Sequence, residues 1–357
     1  MTADKIRLLS PADGSAICLQ TEIQKAFAAD EKTRAARDGG ESFAWDDLHR
    51  VGEDYTFPEP VKFSWQRTGN APAVIEISKC PDFAAVPHVP GLPVIPGDGV
   101  RRISVCGECA ELYNFEIGTT YYWRVRCGED VSGVYSFVTD DIAPRWILLD
   151  GCSNVRDIGG WQTEDGFRIR QGYIYRTGEY DTHMNLTEEG IRCAVEDLGI
   201  RTDLDQRGEA VGKVLHGVLE PSGVRRILLP MQGYDSIFND CPEQRNLAEG
   251  FRIITDPANW PLAFHCWGGA DRGGTLSLLI EGILGVSRKN LILDYELTSL
   301  SIWGIRTRNY EPFANMMKRL DGYVSKELPF RKNIEAFLMD IGVKREEINR
   351  LRRMMLV

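Results

Sequence analysis

The stretch Phe264-His265-Cys266-Trp267-Gly268-Gly269-Ala270-Asp271-Arg272-Gly273-Gly274-Thr275 decides how this chain is read. A short apolar run, Pro261 to Phe264, leads into it, and a helical pattern from Thr275 to Leu284 leads out. The order predicts a buried strand, a tight glycine-rich turn and a helix start. The first N–H groups of a helix have no partner within it and sit at the positive end of its dipole, so such a turn holds an anion. Cysteine attacks as thiolate, and a helix start with a nearby cation favours that form. Arg272 can bring a planar guanidinium back to the same anion and grip two of its oxygens. Trp267, Gly268, Gly269, Ala270, Asp271 and Arg272 thus form a backbone cup for a tetrahedral oxyanion, with Cys266 at its base. A buried cysteine taken alone is more often a small apolar side chain. Here strand, cysteine, glycines, arginine and helix fall in the order the chemistry needs. His265 is read as ordering the loop rather than transferring protons.

The Cys-x5-Arg loop preceded by histidine resembles the protein tyrosine phosphatase superfamily, and within it the atypical bacterial tyrosine phosphatases. Their loop usually reads His-Cys-x-x-Gly-Lys-Asp-Arg-Thr-Gly. His265, Cys266, Gly269, Asp271, Arg272 and Gly274 match, whereas Ala270 stands for the lysine and Gly273 for the threonine. A second resemblance lies far upstream, where Asn154-Val-Arg-Asp-Ile-Gly-Gly160 is similar to the family's Asn-Phe-Arg-Asp-Leu-Gly-Gly. It implies that Arg156 and Asp157 brace the phosphate loop.

At 357 residues the chain has room for two cores. Its net charge of −10, from 42 basic and 52 acidic residues, argues against a nucleic-acid or anionic-membrane partner, and any phosphate site must draw on local positive charge. The first residues show no signal-peptide pattern, and no apolar run approaches a membrane span, so no integral membrane contact is expected. Nine cysteines, read as reduced thiols, suggest a cytoplasmic protein. Cys106 and Cys109 form a lone C-x-x-C, short of the four ligands a closed zinc site takes, and no metal or cofactor is expected.

Residues 1–143 are read as an all-β sandwich. Val61 to Trp65, Val74 to Ile77, Thr120 to Arg126 and Gly133 to Thr139 alternate or run apolar as short strands do. Leu112 to Arg126, with Gly118 before the aromatic strand, resembles the later strands of fibronectin type III-like domains. Gln24 to Arg37 reads as an exposed helix inserted between the first strands, and Pro87 to Gly99 as a loop. The domain is taken as a structural cover rather than a binding module.

Residues 144–357 alternate strands and helices, which predicts an α/β domain with a central sheet flanked by helices. The resemblance covers this part from about Ile147 onward. Thr187 is a candidate helix cap. Thr202 to Arg207 ends a strand where the family shows Asp-Leu-Arg, with Gln206 in place of the leucine and Asp205 and Arg207 as an ion pair near the site. Asp294-Tyr-Glu-Leu-Thr298 is similar to the family's Asp-Tyr-x-x-Thr helix, and the last two helical segments, around Ile334 and Glu346, to its closing helix pair.

The implied activity is two-step phosphate ester hydrolysis through a cysteinyl phosphate, with a phosphorylated protein or small phosphate ester as substrate. Backbone N–H groups stabilise the equatorial oxygens. Asp235 is favoured as the acid that protonates the leaving oxygen; Asp271 is assigned to loop structure or water positioning, and Asp240 is a third choice. Loss of the loop lysine at Ala270 favours phosphotyrosine-like monoesters over phosphoserine, phosphothreonine or phosphoinositides, although Arg306, Arg308 and Lys318 lie downstream as further basic residues. A degenerate phosphate-binding module and a rhodanese-type sulfurtransferase are the alternatives. At Gly273 a missing hydroxyl should slow breakdown of the phosphoenzyme, unless a left-handed backbone demands glycine there.

Overall fold

A computed structural model describes residues 5–36, 53–69, 71–208, 217–239 and 242–357. Among the described residues the first region contains nine strands: β1 (Ile6–Ser10), β2 (Ser15–Ile17), β3 (Val61–Arg67), β4 (Ala73–Ser78), β5 (Arg101–Val105), β6 (Cys109–Leu112), β7 (Thr120–Cys127), β8 (Asp130–Val131) and β9 (Tyr135–Thr139). One sheet runs β1-β3-β6; the other runs β2-β9-β7-β4-β5, with β8 paired to β7. β3 and β7 bury every second residue, which puts Val61, Phe63, Trp65, Tyr121, Trp123 and Val125 into one core. All pairs are antiparallel except β2 with β9, which is parallel, so the larger sheet is mixed.

Two segments depart from the expected cover. The inserted helical pattern breaks at Asp30 into α1 (Glu22–Ala29) and α2 (Glu31–Ala36); its last expected residue, Arg37, lies outside the described residues. This arm is not simply exposed. Phe27 packs with Trp146, Leu297 and Leu300, and buried Arg34 donates to Glu296 Oε2 at 3.0 Å. The proline-rich loop likewise sends Leu92 and Ile95 into the core of the second region.

The second region is built on a five-stranded sheet, with β10 (Arg156–Asp157), β11 (Ile174–Thr177), β12 (Thr202–Asp205), β13 (Arg225–Leu228) and β14 (Leu262–His265) in the order β10-β11-β14-β12-β13. β11, β14, β12 and β13 are parallel. Both faces are covered, as parallel sheets require: Leu262 and Phe264 of β14 join one apolar cluster and Ala263 the other. The helices are α3 (Glu188–Arg192), capped by Thr187, then α4 (Pro242–Ile254), α5 (Arg272–Leu284), α6 (Arg288–Leu297), α7 (Glu311–Asp321), α8 (Phe330–Asp340) and α9 (Arg345–Met355). α5 is buried from Gly273 to Leu284, so the helix after the central strand is held on all sides. Among the described residues no helix is long and apolar enough to cross a membrane.

Candidate active site

The turn from β14 into α5 is shaped by what its carbonyls do. His265 Nδ1 lies 3.0 Å from the Cys266 carbonyl oxygen. The Glu179 N–H donates to the Trp267 carbonyl at 2.7 Å. Asn154 Nδ2 donates to the Gly268 carbonyl at 2.7 Å, and Arg176 Nη2 to the Gly269 carbonyl at 2.6 Å. Thr275 donates to the Asp271 carbonyl through both its N–H and its hydroxyl. Peptide planes are rigid, so carbonyls tied outward turn the N–H groups towards the opposite side. Gly269 has φ of 61°, and a Cβ there would come within 2.2 Å of the Thr177 carbonyl oxygen, so only glycine fits.

The donors are themselves held. Asn154, at φ of 63°, accepts from Arg156 Nη1 at 2.7 Å. Arg156 and Arg176 share Asp294 of α6, Arg156 at 3.1 Å. Burial, then repulsion from Arg176, pulls the Arg156 guanidinium down to about 10. Glu281 of α5 is enclosed beside them, and burial first, then Asp294, raises its carboxyl well above the ordinary carboxylate range. Asp157 turns away from the loop: it accepts from Arg145 at 2.8 Å and from the N–H groups of Gly159 and Gly172. Of the adjacent pair expected to brace the loop, Arg156 reaches it, through Asn154, and Asp157 does not.

His265 is wholly buried with Nε2 3.2 Å from Asp203 Oδ1. Burial alone would lower its pKa; the Asp203 charge outweighs it and raises the imidazole to about 9. As an imidazolium, His265 donates to the Cys266 carbonyl through Nδ1 and forms an ion pair with Asp203. Arg207 pairs with Asp205 at 2.8 Å and with Asp181, and its guanidinium lies 5.2 Å from the Trp267 ring centre. Burial opposes ionisation of Asp205, but the hydrogen bonds from Arg207 and Arg226 hold it well below the usual range.

Cys266 is a free thiol, almost fully enclosed at the base of the turn. Arg272 is half-buried and donates from Nη1 to the Gln206 carbonyl at 3.1 Å. Beside it a cleft of about 460 Å³ is lined by Asp235, Asp271, Arg272, Gly233 and Tyr310. Asp235 lies in a short helical turn, Tyr234–Phe238, and accepts from Asn315 Nδ2 at 3.5 Å. Asp271 is more committed: Arg306 Nε donates to it at 3.0 Å, and so does the Tyr234 hydroxyl. Tyr234 has φ of 56°, an outlier for a bulky residue, and its N–H donates to Thr275 Oγ1 at 2.8 Å. That bond joins the Asp235 turn to the first turn of α5. Asp240 lies outside the described residues.

The sequence profile of the tyrosine phosphatase family matches residues 147–357. The chain belongs to that family. A Cupriavidus necator protein, H16_A0669, provisionally named a tyrosine-protein phosphatase, is 29% identical over 171 residues, covering 42% of this chain and 61% of that protein. The chain therefore spans less than two thirds of this curated relative. The core catalytic domain of the PP-IP phosphatase SIW14 from S. cerevisiae overlaps 52% of this chain and 93% of its own at 18% identity, with a TM-score of 0.30. P. aeruginosa TpbA overlaps 53% and 89% at 12% identity, with a TM-score of 0.28. Overlaps that weak carry no argument about fold or function.

For this member of the tyrosine phosphatase family, several supporting residues escaped the sequence reading. Asn154 lies in the quoted stretch 154–160 and Arg176 in none, and nothing local marks either as a donor to Gly268 or Gly269. Glu179 is wholly buried and accepts from the N–H groups of Asp181, Thr182, His183 and Met184, which fixes the loop beside Trp267. Trp303 covers the turn: a Cβ on Gly268 would come within 2.9 Å of its side chain. Ala270, where the family pattern has lysine, is fully buried.

Proposed function

We propose that this protein hydrolyses phosphate monoesters in two steps, with phosphotyrosine-like esters of proteins or small molecules as substrates. Cys266 attacks phosphorus as thiolate, and the ester oxygen leaves with a proton from Asp235. Water then attacks the cysteinyl phosphate, Asp235 takes its proton, and sulfur departs with the P–S electron pair. N–H groups from Trp267 to Arg272 and the Arg272 guanidinium stabilise the charge on the transferring group. Asp271, occupied by Arg306 and Tyr234, holds the mouth of the loop. The chemistry assigned to these side chains requires no metal.

The observation that carries this reading is the outward anchoring of the loop carbonyls above an enclosed free cysteine. The mixed charge behind the loop and the buried Ala270 favour a singly phosphorylated group over a polyphosphorylated head. We place the boundary between accessory and phosphatase domains at residues 143 and 144. The aromatic core of the first supports a fibronectin type III-like reading, with the parallel β2–β9 pair as a departure. The unpaired thiols among the described cysteines support a reducing, cytoplasmic setting.

Turnover of p-nitrophenyl phosphate, then of a phosphopeptide and phosphoinositide panel, tests the proposal. Cys266→Ser is expected to reduce turnover to background while phosphate or vanadate still binds. A serine variant with wild-type turnover would remove Cys266 from the mechanism. Wild-type protein that binds oxyanion without hydrolysis would favour the non-catalytic module.

A further inference from the structure

Two departures from the family pattern, Gln206 and Gly273, are far apart in the sequence and adjacent in space. Gly273 is the second residue of α5, and its backbone is not left-handed, so the conformation does not require glycine. A Cβ added there would meet one neighbour within 4 Å, the Gln206 Oε1 atom at 3.6 Å. A threonine hydroxyl would therefore sit beside the Gln206 carboxamide. Thr275, the next hydroxyl along the helix, does not substitute. It donates to the Asp271 carbonyl and accepts from the Tyr234 N–H.

The Gln206 side chain is poorly served as a structural element. It is fully buried, and its Oε1 has no hydrogen-bond donor among the described residues. Its Nε2 reaches the Met231 thioether at 3.3 Å and the Arg272 carbonyl at 3.5 Å, a weak acceptor and a long contact. Leaving a buried amide so placed is unfavourable, and a leucine of similar size would avoid it. The main chain of Gln206 is well used: its N–H donates to the His265 carbonyl, and its carbonyl accepts from Arg272 and from the Met231 N–H. The carboxamide oxygen is left without a partner among the described residues.

We propose that Gln206 is a positioning residue for the second step, doing the work of the hydroxyl missing from residue 273. This rests on the two-step hydrolysis proposed above. In that step water attacks phosphorus, the P–S bond breaks, and sulfur takes the electron pair as a thiolate that needs a hydrogen-bond donor. A water held on Gln206 Oε1, in the space beside Gly273, gives one hydrogen to the amide oxygen and the other to the departing sulfur. Water-bridged bonds of this kind are nearly as good as direct ones. The two departures are then one substitution: a direct hydroxyl exchanged for an amide and a water.

The test is stopped-flow and steady-state hydrolysis of p-nitrophenyl phosphate by the full chain. The variants are Gln206→Met, which keeps the volume and removes the amide, Gly273→Thr, and the two together. Gln206→Met should lower kcat about 10–100-fold, the span for losing one hydrogen bond to a charged group in a single step. The first-turnover rate and kcat/KM should stay near wild type, with a burst approaching one equivalent. Gly273→Thr should restore kcat in the Gln206→Met background and change wild type little. An unchanged kcat in Gln206→Met, or a matched fall in kcat and kcat/KM that threonine does not rescue, overturns the inference. Wild-type protein with no Cys266-dependent turnover would instead overturn the proposed function.

Discussion

In the first region Glu76 is buried in the larger sheet, and Arg102, Arg124 and Arg126 meet it from partly exposed positions. Behind the phosphate loop Arg156, Arg176, Asp294 and Glu281 are all enclosed together, away from water. The first arrangement leaves one side of each pair hydrated. The second desolvates every member, which offsets much of the Coulombic gain and makes a buried ion pair weak evidence for stability. Charge is buried in the second region where backbone must be held: Arg176 ends on Gly269, Arg156 on Asn154, and Asn154 on Gly268. In the first region the interior is left to Phe63, Trp123, Phe137 and Tyr121, in edge and stacked contacts.

The comparison treats the regions as separable, and the largest predicted effect bears on that. The sequence predicts that residues 144–357 fold and hydrolyse phosphate alone. The structure shows what such a truncation removes: Phe27 from Trp146, Leu92 and Ile95 from the second core, and Arg34 from Glu296. Each lost apolar side chain is worth about 1.5–3 kcal/mol, against a total of roughly 5–15 kcal/mol for a typical domain. The truncated protein should therefore unfold at much lower urea than the full chain while retaining turnover in the cold. Equal urea midpoints would mean the arm and loop are passive covers.

Next in size is an effect confined to the site. Asp235→Asn should slow esters with poor leaving groups about 10²–10⁴-fold, the usual worth of general acid help, and esters with good leaving groups far less. An equal loss across leaving groups would shift the acid to Asp271, despite its bonds to Arg306 and Tyr234, or to Asp240.

The contrast between regions is sharpened by removing one arginine from each. Arg176→Met strips a partner from Asp294 and from the Gly269 carbonyl and should cost about 3–5 kcal/mol. Arg102→Ala, at the rim, should cost under about 1 kcal/mol. Urea unfolding of both variants measures the difference; similar losses would show that burial of the network has no special energetic consequence.

Much of this was legible because it is local. The order strand, cysteine, glycines, arginine, helix is written in consecutive residues, and the alternation of β3 and β7 is visible in a few residues each. What escaped was long-range. No spacing links Arg176 to Gly269 or Asn154 to Gly268, because these are meetings of separate elements. Leu92 and Ile95 sit in a proline-rich loop without a period, and nothing there indicates which core they enter. The parallel pairing of β2 with β9 depends on the path of the chain between them, which residue pattern does not carry. Gln206 and Gly273 were each visible as departures; that they adjoin was not.

The smallest effect separates the regions by the sign of their response to pH. Glu76 is held down to about 2 because three arginine hydrogen bonds outweigh burial, so its contribution is present at neutral pH and lost as pH falls from 4.5 towards that value. Glu281 goes the other way. Burial raises it above 4.5, so the folded state keeps a proton that the unfolded chain releases, and stability declines as pH rises. His265 adds to that decline: its contribution is full below 6.5 and lost as pH rises through about 9. Wild-type stability above pH 5 thus carries both slopes, and only a difference can isolate Glu281. Glu281→Gln keeps the shape and a neutral head, and should remove one slope, about 1.4 kcal/mol per pH unit while Glu281 would have stayed protonated. Urea unfolding at pH 5, 6 and 7 should show the variant gaining on wild type as pH rises. Parallel curves would mean that Glu281 ionises normally among the arginines, and that the second region tolerates a full buried charge network after all.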